Sequence, residues 1–240
     1  MIRRISRTLV WAAVLSWCAR AGAQGVTLSA RIAVVDREHN TDSPHAENVV
    51  VWLTPIDAQV SALPVAKQSL RLTQHNKSFE PHVLVVPVGS VVEFPNRDPF
   101  FHNVFSLFEG KKFDLGLYEA GSTRNVSFDR KGISYIFCNI HAEMSAVVVV
   151  LDTPYFGISN RKGELVIPNV PPGRYTMRIW HETALLDALN AMTREIRITE
   201  NSSTLGILQV RTGPSGGEHK NKYGMDYEPP APNSPAYERR

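Results

Sequence analysis

The chain of 240 residues has only two cysteines, no His-x-His pair, almost no helical periodicity and no apolar run long enough for a membrane-spanning helix. Two cysteines cannot build a disulfide framework. A spanning helix needs roughly 20 apolar residues, about twice the length of the stretch from Thr8 to Trp17. The chain is nevertheless 43% apolar with a net charge of only +3, which excludes a wholly disordered polypeptide. Its length leaves room for one or two domains with a real core.

Basic residues crowd the N-terminus. Arg3, Arg4 and Arg7 precede the apolar stretch and the small residues Ala21-Gly22-Ala23 follow it, the pattern of a cleaved secretory signal over residues 1–23. Removing it takes four arginines from the 26 basic residues, leaving 22 against 23 acidic ones and a formal charge of −1. No Lys/Arg-rich stripe with interleaved aromatics remains, so nucleic acid is not an expected partner. The mature chain is expected to be exported, soluble and without a membrane span. Cys138 is then its one thiol in an oxidising compartment, where an unpaired cysteine oxidises or cross-links unless something protects it. Burial as a small inert hydrophobe is one reading, and metal ligation is the other.

Short segments rich in β-branched and aromatic residues, such as 26–35, 83–88, 91–94, 125–128 and 134–138, are separated by turn signals at Gly89 and Gly132. This pattern predicts an all-β chain of sandwiches or barrels. One short helix is expected over 183–192, with Leu185, Leu189 and Met192 at helical spacing behind a Thr183 cap. From Thr212 onward, five prolines and four glycines among the last 29 residues, with balanced charge, predict a disordered tail over 212–240.

The neighbours of Cys138 decide between its two readings. Cys138-Asn-Ile-His141-Ala-Glu-Met144 places a thiolate, an imidazole and a thioether at three-residue intervals after an apolar strand. His102 lies upstream, where another strand meets the polar loop Pro95-Asn-Arg-Asp-Pro-Phe-Phe101. Two imidazoles and a thiolate with a weak thioether suit both Cu(I) and Cu(II), whereas structural zinc takes four Cys or His ligands and catalytic zinc rarely recruits Met. His102, Cys138, His141 and Met144 are therefore the candidate ligands of one copper ion, and binding it would occupy the exposed-to-oxidation thiol.

Residues 68–152 resemble a complete cupredoxin domain of the plastocyanin and amicyanin family. The resemblance rests on the Cys-x2-His-x2-Met spacing, Phe79-x-Pro81, Val83-Leu-Val-Val-Pro-Val-Gly89, His102-Asn103-Val104 and Gly132-Ile-Ser-Tyr135-Ile-Phe-Cys138. It implies a Greek-key sandwich and electron transfer through a type 1 copper, one per chain, with His102, Cys138 and His141 in the plane and Met144 axial. It also implies that Asn103 hydrogen-bonds across to the cysteine loop and that electrons leave through an exposed edge of His141. Phe100, Phe101, Ile140 and Ala142 would surround that edge, with Asp98 and Glu143 adding negative charge that favours a basic or mixed partner. The ligand loop departs from amicyanin, since Asn139-Ile140 and Ala142-Glu143 replace a proline-containing, more apolar stretch.

Residues 153–211 resemble the second half of a carboxypeptidase regulatory-like, transthyretin-type sandwich, and residues 24–60 read like its first half. The expected architecture is a discontinuous Ig/transthyretin-like sandwich into which the cupredoxin is inserted, because the two ends of a sandwich loop lie close together. His181 beside Trp180 and Glu182 has no serine nucleophile or paired carboxylate with it and reads as structural. Cupredoxin-containing enzymes need further histidine clusters, so a non-enzymatic carrier between periplasmic redox proteins is expected. Copper storage or delivery, and a metal-free interaction module, are the alternatives.

Overall fold

A run of four consecutive valines, 147–150, cannot alternate between a core and water. A strand with such a run is buried on both faces. The computed structural model, which describes residues 25–36, 46–57, 70–107, 110–213 and 219–227, shows what covers each face.

Among the described residues the chain is all-β apart from one helix. It begins with β1 (Val26–Asp36) and β2 (Val50–Pro55). Ten strands follow: β3 (Leu70–Arg71), β4 (Thr73–His75), β5 (Ser78–Glu80), β6 (Val83–Pro87), β7 (Ser90–Pro95), β8 (His102–Ser106), β9 (Phe113–Tyr118), β10 (Thr123–Phe128), β11 (Gly132–Cys138) and β12 (Ser145–Leu151). It ends with β13 (Phe156–Ile158), β14 (Glu164–Val170), β15 (Gly173–Trp180), α1 (Leu186–Met192), β16 (Arg194–Ile198) and β17 (Thr204–Thr212).

Strands β3 to β12 form one sandwich, with the sheet β10-β7-β3 against the five-stranded sheet β6-β12-β11-β8-β9. Phe94, Val104, Phe128, Ile136, Val148 and Val150 fill the space between. In the other sandwich, β1 lies between β14 and β17 and β2 between β13 and β15, so strands from the start of the chain are completed by strands from its later part. Leu28, Leu53, Ile167, Met177 and Val210 are in that core.

The valine run sits where the two sandwiches meet. Ala146, Val148 and Val150 of β12 point into the first core, while Val147, Val149 and Leu151 join Val83 and Val85 of β6 in a second cluster with Val50 and Trp180. Burying each such aliphatic side chain contributes about 1.5–3 kcal/mol relative to exposure, so this seam fixes one sandwich against the other. Tyr135 and Trp180, with ring centroids 6.5 Å apart, extend it.

At the edge of the seam, His82 Nε2 lies 2.6 Å from Glu182 Oε2. The Glu182 hydrogen bond raises the His82 pKa above its ordinary value, and burial opposes it. A raised histidine pKa stabilises the folded state fully below the unfolded value near 6.5, and the gain disappears as pH rises through the folded value. His82→Gln should therefore lower the Tm at pH 5.5 and change it little above pH 8.5, measured by thermal unfolding at both pH values. Equal losses at the two pH values would show that packing, not charge, is what the side chain supplies.

Two sequence expectations need correction. The helix begins at Leu186 with Leu185 before it, rather than at Thr183. The Thr183 hydroxyl is instead bonded to His181 Nδ1 at 3.1 Å, in a turn where Ala184 N–H donates to the His181 carbonyl at 3.1 Å, while the Thr183 carbonyl accepts from Gly213 N–H at 3.0 Å and Ala184 bridges to Thr212. The disordered tail over 212–240 also fails in part, because Thr212 ends β17 and residues 219–227 pack against β11. The expected signal, residues 1–23, and residues 214–218 and 228–240 of the tail lie outside the described residues. Among the described residues no helix is long and apolar enough to cross a membrane.

Candidate metal centre

Cys138 closes β11 opposite Val104 of β8, so His102, which opens β8, comes to the same end of the sheet. On the other side the β11–β12 ladder closes at Phe137 and Ser145, and residues 139–144 connect the two strands. Cys138 N–H donates to the Met144 carbonyl at 3.2 Å and Met144 N–H to the His141 carbonyl at 3.1 Å. This folds the loop back on itself and returns the His141 ring to the thiol. Cys138 Sγ is 3.6 Å from His102 Nδ1 and 3.5 Å from His141 Nδ1, and the three donor atoms all lie within 4.8 Å of one another.

The site is buried, with Cys138 and His102 fully buried and His141 only 3% exposed. Burial pushes the Cys138 thiol pKa up, against the backbone N–H groups of Asn103, Ile140 and His141 that point at the sulfur. Burial, and then the neighbouring His102 ring, push His141 down to about 4. His102 is also lowered by burial, with Asp98 opposing the shift. Near neutral pH both rings are therefore uncharged and offer lone pairs. A bound metal ion would displace the thiol proton. Among the described residues this is the one group of three or more His, Cys, Asp and Glu donors close enough to share an ion. Its two imidazoles and one thiolate fit copper, and it lacks the fourth Cys or His of a structural zinc site.

No protein-family model matches the chain, and no curated protein matches it. Solved structures do. A copper-containing nitrite reductase from Thermus scotoductus SA-01 is 24% identical over 42% of this chain, with a TM-score of 0.35. The match spans only 26% of that enzyme. A purple cupredoxin from Nitrosopumilus maritimus is 23% identical over 35% of this chain and all of its own length, with a TM-score of 0.32. A reduced, Cu(I) form of an amicyanin variant is 22% identical over 42% of this chain and 98% of its own, with a TM-score of 0.33.

Met144, expected as the axial ligand, is fully buried in the same core cluster as Cys138. Asn103 bonds across to the cysteine loop through its backbone, not its side chain. Its N–H points at the Cys138 sulfur and its carbonyl accepts from Asn139 N–H at 2.8 Å. The side chain turns the other way and donates to Asp114 Oδ1 at 2.6 Å.

The expected exit surface differs more. The His141 edge is not open, because the Phe100 ring lies 5.5 Å from it and 5.3 Å from His102, with Lys77 Nζ 5.7 Å above Phe100. Phe101 is the exposed aromatic there, at 51%. Asp98 adds no surface charge, since it is only 3% exposed. Its Oδ1 accepts from Asn76 N–H at 2.6 Å, and its Oδ2 from Lys77 N–H at 3.0 Å and from His102 Nε2 at 2.9 Å. Burial opposes its ionisation, but the Lys77 and Asn76 N–H groups and the imidazole outweigh that and keep the carboxyl below the ordinary range. A carboxylate on the far nitrogen fixes the tautomer that presents Nδ1 to a metal. Sequence reading missed this role. The one signal for it was the four-residue spacing of Asp98 and His102 in a loop rich in turn residues.

Proposed function

We propose that His102, Cys138, His141 and Met144 would hold one type 1 copper ion, and that this chain carries single electrons between periplasmic redox proteins. The observation that carries the reading is the convergence of two ring Nδ1 atoms on one buried thiol. When bound there, copper would supply one-electron chemistry, cycling between Cu(I) and Cu(II).

The protein's own contribution is to hold the donors still. Three backbone N–H groups fix the sulfur, Asp98 fixes His102, and the paired backbones of β8, β11 and β12 fix the loop ends. Ligands held in place before the metal arrives need little rearrangement when the oxidation state changes. Phe100, in contact with both rings, separates the ligands from water and marks the side nearest a docked partner. With Asp98 turned inward and Lys77 beside Phe100, that surface carries mixed charge, which favours the mixed over the basic alternative for the partner. Copper storage or delivery would use the same ligands, while a metal-free interaction module would leave three buried donor atoms unexplained.

The test is to add one equivalent of Cu(II) to residues 24–240 and record the visible spectrum, then voltammetry. An intense thiolate-to-copper band and reversible cycling are expected. Tight binding without colour, or rapid release of copper to a metal-free acceptor in place of cycling, would replace the carrier reading by storage, delivery or zinc.

A further inference from the structure

After β17 the chain returns to the metal end of the other sandwich, where residues 219–227 lie along the ligand strand. The segment is bonded within itself. Asn221 Oδ1 accepts from the N–H groups of Tyr223 and Met225 at 3.0 and 3.1 Å, its N–H donates to the Met225 carbonyl at 2.9 Å, and Lys220 pairs with Asp226.

Its contacts fall on residues adjoining the ligands. Tyr227 Oη donates to the carbonyl of Cys138 at 2.6 Å. The His219 ring stacks on Phe137, with centroids 4.2 Å apart and planes at 32°, and its Nδ1 is 3.2 Å from Tyr227 Oη. Lys222 N–H donates to Asn139 Oδ1 at 2.9 Å. Lys222 Nζ is 2.8 Å from Asp114 Oδ2, and Asp114 Oδ1 takes the Asn103 side chain. Both chain segments that carry ligands, the one after Cys138 and the one after His102, are thus tied to the same nine residues, 219–227.

We propose that residues 219–227 are a strap belonging to the metal centre, in which Tyr227 and Lys222 act as positioning residues for Cys138 and for the Asn103–Asp114 pair. The inference rests on the copper reading for its redox consequence, but its mechanical part holds for the metal-free chain. Docking the strap restrains the ligand loop, so strap docking and metal retention stabilise each other by the same factor. The Tyr227 hydroxyl also brings the positive end of its O–H dipole to the carbonyl of the cysteine ligand. A positive potential there favours the reduced state, so removing the hydroxyl should favour Cu(II).

The experiment compares full-length wild type with Tyr227→Phe, Lys222→Met and the control Met225→Ala, whose side chain is exposed. Amide exchange across 138–141 is followed in the metal-free proteins, and spectrum, Cu(II):Cu(I) ratio against a fixed redox mediator and copper loss to a chelator in the loaded ones. Tyr227→Phe should raise the Cu(II):Cu(I) ratio about threefold, within the range that one net hydrogen bond supplies. Copper loss and exchange should each quicken about fivefold in Tyr227→Phe and Lys222→Met, on the same scale, with Met225→Ala like wild type. If the wild type takes up copper with its intense colour yet Tyr227→Phe and Lys222→Met match it in every readout, the strap is overturned and the copper reading stands. If the wild type gives no colour, the copper reading fails. The exchange rates then decide the strap alone, faster exchange in the variants supporting it and unchanged exchange overturning it.

Discussion

Replacing Cys138 by serine should abolish the visible absorption of the copper-loaded protein completely and lower its copper affinity by more than 100-fold, while leaving the metal-free protein folded. The colour depends on a thiolate donor, and a serine hydroxyl is neither soft nor deprotonated near neutral pH. The affinity loss should exceed the 10–100-fold that follows from removing a residue that merely supports a ligand. The fold should survive because the side chains are nearly isosteric and the backbone N–H groups of Asn103, Ile140 and His141 that face the sulfur can face an oxygen instead. Absorption spectra, a competition titration and thermal unfolding of both proteins check the three parts. A serine variant that keeps the intense band would remove the thiol from the site, and with it the proposed function.

The part of this centre legible in the sequence is the part built from neighbours. Cys138, His141 and Met144 share one loop, and the apolar strand before it shows that the loop caps a core, so their proximity needs no knowledge of tertiary structure. His102 lies 36 residues away from Cys138, and only the strand-then-loop pattern around it suggested that a sandwich would close the gap. Asp98 was read as surface charge because aspartate between Asn96, Arg97 and Pro99 is ordinary turn composition. What turns it inward is remote. Asn76 and Lys77 both have φ of +52°, and the β4–β5 turn they form presents two N–H groups to the carboxylate.

The same division runs through the fold. The valine run of β12 needs cover on a second face, and which surface covers it depends on Val50 and Trp180, far away in the chain. Residues 219–227 are polar and glycine-containing, and composition measures only the apolar surface a segment can bury. It is blind to a few well-placed hydrogen bonds onto a backbone carbonyl and an asparagine side chain.

Asp98 also sets up the second large effect. Asp98→Ala would leave the buried far nitrogen of His102, and the N–H groups of Asn76 and Lys77 in the partly exposed β4–β5 turn, without their acceptor. A buried donor left unsatisfied costs about 1–3 kcal/mol, so a loss of about 2 kcal/mol or more is expected in the metal-free protein. Asp98→Asn separates that structural effect from a chemical one. The amide keeps the shape, and with its oxygen in the place of Oδ2 it still accepts from Lys77 N–H and His102 Nε2, so that only the Asn76 N–H meets a donor. The negative charge beside the imidazole is lost, however, and a neutral acceptor polarises the ring less than a carboxylate does. His102 then becomes a less basic ligand at Nδ1, the atom aimed at Cys138. Copper affinity should fall 10–100-fold in a variant that is destabilised less than Asp98→Ala. Thermal unfolding without metal and copper competition with it measure the two quantities independently. Wild-type copper affinity in Asp98→Asn would show that the carboxylate anchors the β4–β5 turn and nothing more, whereas a fall in affinity larger than the fall in stability explains would place it in the metal centre.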